Sequence, residues 1–154
     1  AELLVQHGHK TSQNNQSNVL FLQKLRPQMI GIGPFIPHHD TPFKDEPAGS
    51  VELTLVLLAV LRLLFPHVLL PATTALGTLA PGGRLLGIKA GANVIMPNLS
   101  PQNVRGKYLL YDNKLHTGAE AAEALNELQR EVASIGYRIV SARGDYTEEP
   151  WTQG

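Results

Sequence analysis

The chain has no cysteine, two methionines, one tryptophan and only 6% aromatic residues in its 154 positions. Without a thiol it offers no disulfide, no thiolate metal ligand and no cysteine nucleophile. Neither sign of charge is in excess, because thirteen Lys and Arg balance thirteen Asp and Glu. Nothing of that kind draws it to nucleic acid or to an anionic membrane surface. Long apolar runs are missing too: the most apolar stretch, Leu53 to Phe65, is interrupted by Arg62 and falls short of the ~20 residues of a membrane span. The N-terminus carries no basic, hydrophobic, small-residue leader, so the expectation is a soluble, cytoplasmic chain. What is present, 43% hydrophobic residues, suffices for the core of one domain.

Short apolar segments alternate with helix-length ones from about Leu20 to Met96, the pattern of parallel βα units. The fold class expected is therefore α/β. A complete eight-fold barrel needs ~250 residues, so a barrel here is part of one. Leu3 to His7 reads as the first strand. A helix is predicted from Thr11 or Ser12 to just before Pro27, turning Val19, Leu22 and Leu25 inward. Met29 to Ile32 reads as a strand. Ser50 is positioned to cap a helix with Glu52 in its first turn, apolar nearly all round and buried on more than one side, ending at Pro66. His67 to Pro71 is read as a strand, Pro81 to Ala90 as a helix closed by Gly91, and Asn93 to Met96 as a last barrel strand. Ser100 with Pro101 marks another helix start, which sets Tyr108 and Tyr111 on one face. Thr117 to Glu120 reads as a capping box before a stripe of Leu125, Leu128, Val132 and Ile135. Tyr137 to Val140 is read as a peripheral strand and the tail from Asp145 as loose. Two regions follow: residues 1–115 hold the barrel-like units, and 116–154 hold a C-terminal helix, short strand and tail.

Three strand-to-loop junctions carry the chemistry: Met29 to Pro42, Thr73-Thr74-Ala75, and Met96-Pro97-Asn98. That is where α/β barrels keep their reactive groups. The hydroxyls of Thr73 and Thr74 and the backbone N–H groups after them suit a carboxylate, although Thr-Thr after a strand is by itself an ordinary loop or cap. The glycine-rich loop of Gly77, Pro81, Gly82 and Gly83 lacks the lysine and spacing of a phosphate-binding loop. His38, His39 and Asp40, or His7 and His9, invite a metal reading. Adjacent histidines of a strand point to opposite sides, which makes a structural role the better reading of His38 and His39, with no metal assigned. Tyr108, Tyr111, Met29 and Met96 read as packing residues by default.

In combination, MIGIGPFIPHHDTPF, LPATTALGTLAPGGR, GANVIMPNLSP and KYLLYDNK resemble the C-terminal half of the HydE family, the radical S-adenosylmethionine (SAM) maturases of FeFe-hydrogenase. The resemblance runs from about Gly8 to Tyr146 in order and spacing. Biotin synthase and methylornithine synthase resemble it more distantly. The resemblance implies a partial (βα)8 TIM-type barrel, a half-barrel of three to four parallel βα units with a C-terminal helical extension. It implies a family that holds SAM and a 4Fe-4S cluster at the barrel mouth and generates a 5′-deoxyadenosyl radical. Its substrate is an iron- and cysteine-containing synthon on the way to the hydrogenase H-cluster. Carried over by motif, Thr73, Thr74 and Ala75 would hold a substrate carboxylate, Met96, Tyr108 and Tyr111 would line the cavity, and Met29, Phe35 and Ile36 would lie by SAM.

The family's CxxxCxxC loop has no counterpart in this chain, and the segment from Leu115 to Leu128 offers His116 but no thiol for a second cluster. Alone, the chain is therefore expected to hold no cluster and to be inactive. The partners expected are a second copy or the missing N-terminal half-barrel, and other hydrogenase maturases, with no nucleic acid and no membrane. An apolar patch at Ile30, Ile32, Leu69 and Val94, uncovered for want of opposing strands, would form the contact. The alternative is a non-catalytic module that binds small carboxylates or serves assembly, or a fragment of a biotin synthase-like or methylornithine synthase-like enzyme.

Overall fold

The computed structural model describes residues 2–5, 11–97, 121–140 and 144–146. Strand β1 (Glu2–Val5) lies parallel to β2 (Gly31–Pro34) in the register Glu2↔Gly31 to Val5↔Pro34. Helix α1 (Thr11–Leu25) makes the crossover that a parallel pair requires. It stops because Pro27 has no N–H to donate and disfavours a helical residue before it. Arg26 accordingly turns into the left-handed region, φ 48°.

Further parallel contacts continue in chain order. Met29 pairs with Leu69 and Pro71 with Val94, fixed by Ile30 N–H to Leu69 O (2.9 Å), Leu69 N–H to Gln28 O (3.0 Å) and Ala72 N–H to Val94 O (2.9 Å). The strands expected over His67–Pro71 and Asn93–Met96 shrink to these single bridges, for two reasons. Pro71 has no N–H, and the N–H of Leu70 is taken by the side-chain carbonyl of Asn93 (2.8 Å) while Asn93 N–H returns to Leu70 O (2.9 Å). Among the described residues the result is an open, parallel, sequentially ordered ladder, and no barrel closes.

Between the second and third positions of the ladder runs α2 (Val51–Leu64). Ser50 Oγ accepts from Leu53 N–H (3.0 Å) and donates to Glu52 (3.0 Å). The backbone N–H of Glu52, and after it the Ser50 hydroxyl, hold the Glu52 carboxyl below its ordinary pKa. The helix buries Thr54, Leu58 and Leu61, and Val51, Leu53, Leu55 and Leu57 pack partly buried against the core on either side of them, so that only one face stays outside. Val56, Val60, Leu63 and Leu64 lie exposed, Leu63 by 81%, because no described element packs on that side.

Two short helices, α3 (Thr74–Leu79) and α4 (Gly83–Lys89), fill the next crossover. The helix expected from Pro81 begins at Gly83, since Gly82 takes a left-handed φ of 67° that breaks the approach. A Cβ on Gly83 would collide with Leu76 O, and one on Gly87 would stand 3.1 Å from the Leu76 side chain. Small residues thus let α4 lie against α3.

The core gathers Leu22, Ile30, Ile32, Leu58, Leu61, Val68, Leu70, Ala72, Leu76, Ile88 and Ala92 with Leu128 and Val132 of α5 (Ala121–Ser134). Ile30 and Ile32 therefore face the helices. They and Leu69 are buried, which removes the apolar patch expected there. The exposed methionines, Met29 and Met96, are at other positions of the ladder. Leu25, expected inside, is half-exposed beside Phe21 on the outer side of α1. After α5, Gly136 (φ 84°) closes the helix and 137–140 run on without strand pairing. Only Ile139 reaches the core, so the peripheral strand expected over Tyr137–Val140 is absent.

Candidate functional site

Parallel strands present the backbone of their C-terminal ends to solvent, and the chain's polar junctions lie there. Gly33 of β2 and Thr73 after Pro71 meet side by side: an ideal Cβ on Gly33 would stand 2.8 Å from Thr73 Oγ1. Two residues beyond each partner of the Pro71↔Val94 bridge lie Thr73 and Met96, so Gly33, Thr73 and Met96 fall at one level of the ladder.

Thr73 is the N-cap residue of α3 (φ −70°, ψ 153°), yet its hydroxyl makes no capping bond. Its Oγ1 is buried without a hydrogen-bond partner among the described residues. A buried hydroxyl in that state costs about 1–3 kcal/mol relative to a satisfied one. Thr74 and Ala75 open α3, where the Thr78 hydroxyl donates to Thr74 O (3.1 Å).

The loop after β2 closes on itself. Gly49 N–H donates to Phe35 O (2.8 Å), and Phe35 meets Phe43 edge to face at 6.4 Å. Phe35 and Ile36, both half-buried, stand at this closure. Met29 is four residues before Gly33, about 13 Å back along the strand, so the ladder does not bring it to Phe35 and Ile36. Tyr108 and Tyr111 lie outside the described residues, as do the helix start at Ser100, the capping box at Thr117 and the histidines His7, His9 and His116.

His38, His39 and Asp40 form a turn rather than a strand, so the alternation argument does not apply to them. The two imidazoles stack at 4.4 Å with planes 20° apart. His38 Nδ1 accepts from Asp40 N–H (3.1 Å), and His39 Nε2 lies 3.3 Å from the Asp40 carboxylate. One ligand atom from each falls within 4.8 Å of the others, but two of the three are exposed and both histidines already have partners.

Sequence reading missed Arg62, which it took only as an interruption. Nε donates to Gly91 O (2.8 Å) and Nη1 to Pro66 O (2.7 Å) and Val68 O (3.0 Å). The guanidinium thus ties the end of α2 to the third strand position and to the turn after α4. Burial lowers its pKa from the ordinary value. A lone charge inside an apolar helix was the available signal.

No protein-family model matches the chain. Over 98 residues, 64% of the chain, it is 50% identical to the [FeFe] hydrogenase maturase subunit HydE of Thermotoga maritima. Over that stretch the chain is similar to HydE. That match takes in 28% of the maturase's own length, consistent with a C-terminal fragment of HydE. Two 3-methylornithine synthases agree: that of Methanosarcina barkeri is 29% identical over 88% of the chain, and that of Methanosarcina acetivorans 29% identical over 73%. Those matches span 37% and 29% of the synthases, so the chain corresponds to about a third of the length of the curated relatives. The HydE match agrees with the resemblance read from the motifs. HydE homology implies SAM and a 4Fe-4S cluster in a full-length enzyme. The donors of this chain do not fit the cluster, since it has no cysteine. No described helix is long and apolar enough to cross a membrane.

Proposed function

We propose that the chain is a half-barrel of parallel βα units from a HydE-like radical SAM enzyme of H-cluster maturation, supplying substrate- and SAM-pocket residues while the cluster ligands come from elsewhere. Its open ladder, in chain order, is the arrangement such a half-barrel requires. The observation that carries the reading is Thr73 Oγ1, a buried hydroxyl at the C-terminal end of the ladder with no partner among the described residues. A ligand oxygen would satisfy such an atom. In this reading Thr73, Thr74 and Ala75 take a small carboxylate, Met96, Tyr108 and Tyr111 enclose it, and Met29, Phe35 and Ile36 serve the SAM side. A second copy or the missing half covers the open edges of the ladder, and the exposed Val56, Val60 and Leu63 of α2 add an apolar surface for assembly.

The absence of cysteine favours one rival, a non-catalytic module that binds small carboxylates. Both readings need the Thr73 site, which Thr73→Val tests. Acetate and L-alanine, titrated by NMR, are expected to bind the native chain and not the variant. The free variant is expected to be as stable as the native chain or more so, because the isosteric methyl removes an unsatisfied donor worth about 1–3 kcal/mol. Unchanged anion binding, or a loss of stability with no loss of binding, would return Thr73 to a structural role.

A further inference from the structure

Beyond Pro34 the sheet no longer holds the chain, since the pairing with β1 ends at Val5↔Pro34. Phe35 and Ile36 follow at once, set between Pro34 and Pro37, neither of which has an N–H to donate. What reaches this pair from the far end of the loop is Gly49. Its N–H donates to Phe35 O over 2.8 Å. Its Cα lies so close to the end of β2 that an added Cβ would stand 2.7 Å from Phe35 N, 3.3 Å from Pro34 Cα and 3.4 Å from Pro34 C. Gly49 is not among the residues with positive φ, so it is the meeting of two backbones, and not a dihedral angle, that leaves no room for a side chain.

Only main-chain atoms bound that contact, and no change of rotamer relieves it. For a methyl at 49 to reach the 3.4 Å of ordinary contact with Phe35 N, the junction must open by about 0.7 Å. Both flanks are fixed. β2 is paired with β1 and buried at Ile32, Gly33 and Pro34, and Ser50, next to Gly49, caps α2, which Leu58 and Leu61 anchor in the core. Phe35 and Ile36 are half-buried, and they are the part that yields.

We propose that Gly49 is the positioning residue of the SAM side, its bare Cα and its N–H together seating Phe35 and Ile36 at the C-terminal end of the ladder for the adenosyl part of the ligand. The inference rests on the reading of Phe35 and Ile36 as SAM-side residues, and goes beyond it by naming what holds them in place. Binding groups must be held within about 0.5 Å of their productive geometry. An opening of about 0.7 Å therefore loosens the ligand while the rest of the fold survives.

The test compares the native chain with Gly49→Ala and Ala48→Gly. Ala48 is exposed, and replacing it by glycine loosens the same loop without adding an atom at the contact. S-adenosylhomocysteine, which keeps the adenosyl group, is titrated by NMR at a temperature where the Leu58 and Leu76 methyl signals show every sample fully folded. Gly49→Ala is expected to weaken it by at least about tenfold, with shifts centred on Phe35 and Ile36, and Ala48→Gly to stay within about twofold of native. A role in stability alone would lower the unfolding midpoint of Gly49→Ala and leave the affinity of its folded form unchanged, a result that would overturn the role of Gly49 and leave the SAM-side reading standing. Equal losses in the two variants would trace the effect to loop flexibility and would also overturn it. Native chain that binds no S-adenosylhomocysteine up to about 10 mM would overturn the SAM-side reading and this inference with it. If Gly49→Ala folds too poorly to titrate, amide exchange of the native chain decides. The Gly49 N–H should exchange at least about tenfold more slowly than that of Ala48, and more slowly still with S-adenosylhomocysteine bound. Equal exchange of the two amides, or no slowing on binding, would overturn the proposal.

Discussion

Removing Arg62 should unfasten three segments at once, since its guanidinium donates to Gly91 O, Pro66 O and Val68 O at 2.7–3.0 Å. Hydrogen bonds from a charged donor contribute roughly 1.5–3 kcal/mol each. Three of them set an upper bound of roughly 4.5–9 kcal/mol. The net effect is smaller. The guanidinium is itself desolvated in the fold, and Nη2 is buried with no partner among the described residues. It is half-buried, so water can reach part of what it leaves. Arg62→Met keeps much of the aliphatic stem and removes only the donors, and an expected loss of about 2–4 kcal/mol follows for disruption of such a network. In urea, with a slope of about 2 kcal/mol/M for a chain of this size, the midpoint should fall by about 1–2 M. Hydrogen exchange should quicken first near Phe65 to Val68 and at Gly91. A midpoint within about 0.25 M of native, or faster exchange spread evenly over α1 and β2, would refute the view that Arg62 clamps this end of the fold.

The remaining predictions concern the core, a helix cap and iron. Leu58, fully buried beside Gly87, should cost about 2–5 kcal/mol as Leu58→Ala in the same urea assay. Ser50→Ala should destabilise by about 1 kcal/mol and return the Glu52 carboxyl toward its ordinary pKa, followed by NMR titration. Because the folded-state pKa of Glu52 is depressed, its small contribution is present above the ordinary carboxylate value and fades as pH falls through the lowered one. Anaerobic reconstitution of the purified chain with iron and sulfide should give no cubane absorbance and no SAM cleavage, for want of thiolates. Stoichiometric cluster formation would contradict that.

Where local chemistry decides an element, the sequence displays it. Pro27 limits α1, Ser50 caps α2, and the spacing of Leu128 and Val132 marks the buried face of α5. The third and fourth positions of the ladder were less legible, because a side chain, Asn93, stands in for a backbone partner and no periodicity encodes that. Helix α3 escaped because six residues with Gly77 inside give too short a pattern to distinguish from a loop. The inward stripe of Val19, Leu22 and Leu25 was read one turn too far, since only the pattern was visible and not where the core ends. At the candidate site, the threonines were visible as residue types. The buried hydroxyl of Thr73 and its close approach to Gly33 are facts of three-dimensional proximity, which appear only when the segments are laid together.

The order of the ladder bears on how the chain acquires its shape. Each pairing joins a segment to the one immediately before it, across separations of roughly 20–40 residues. No described pairing requires a late segment to insert between two earlier ones. During synthesis each new edge can therefore be captured as its own crossover helix emerges, with the N-terminal unit acting as template for the next. The same serial logic locates the point of greatest vulnerability. Until the fourth position docks through Asn93, the third exposes its edge to any other extended chain, so a ribosome pausing after Pro71 would hold the nascent protein in its stickiest state.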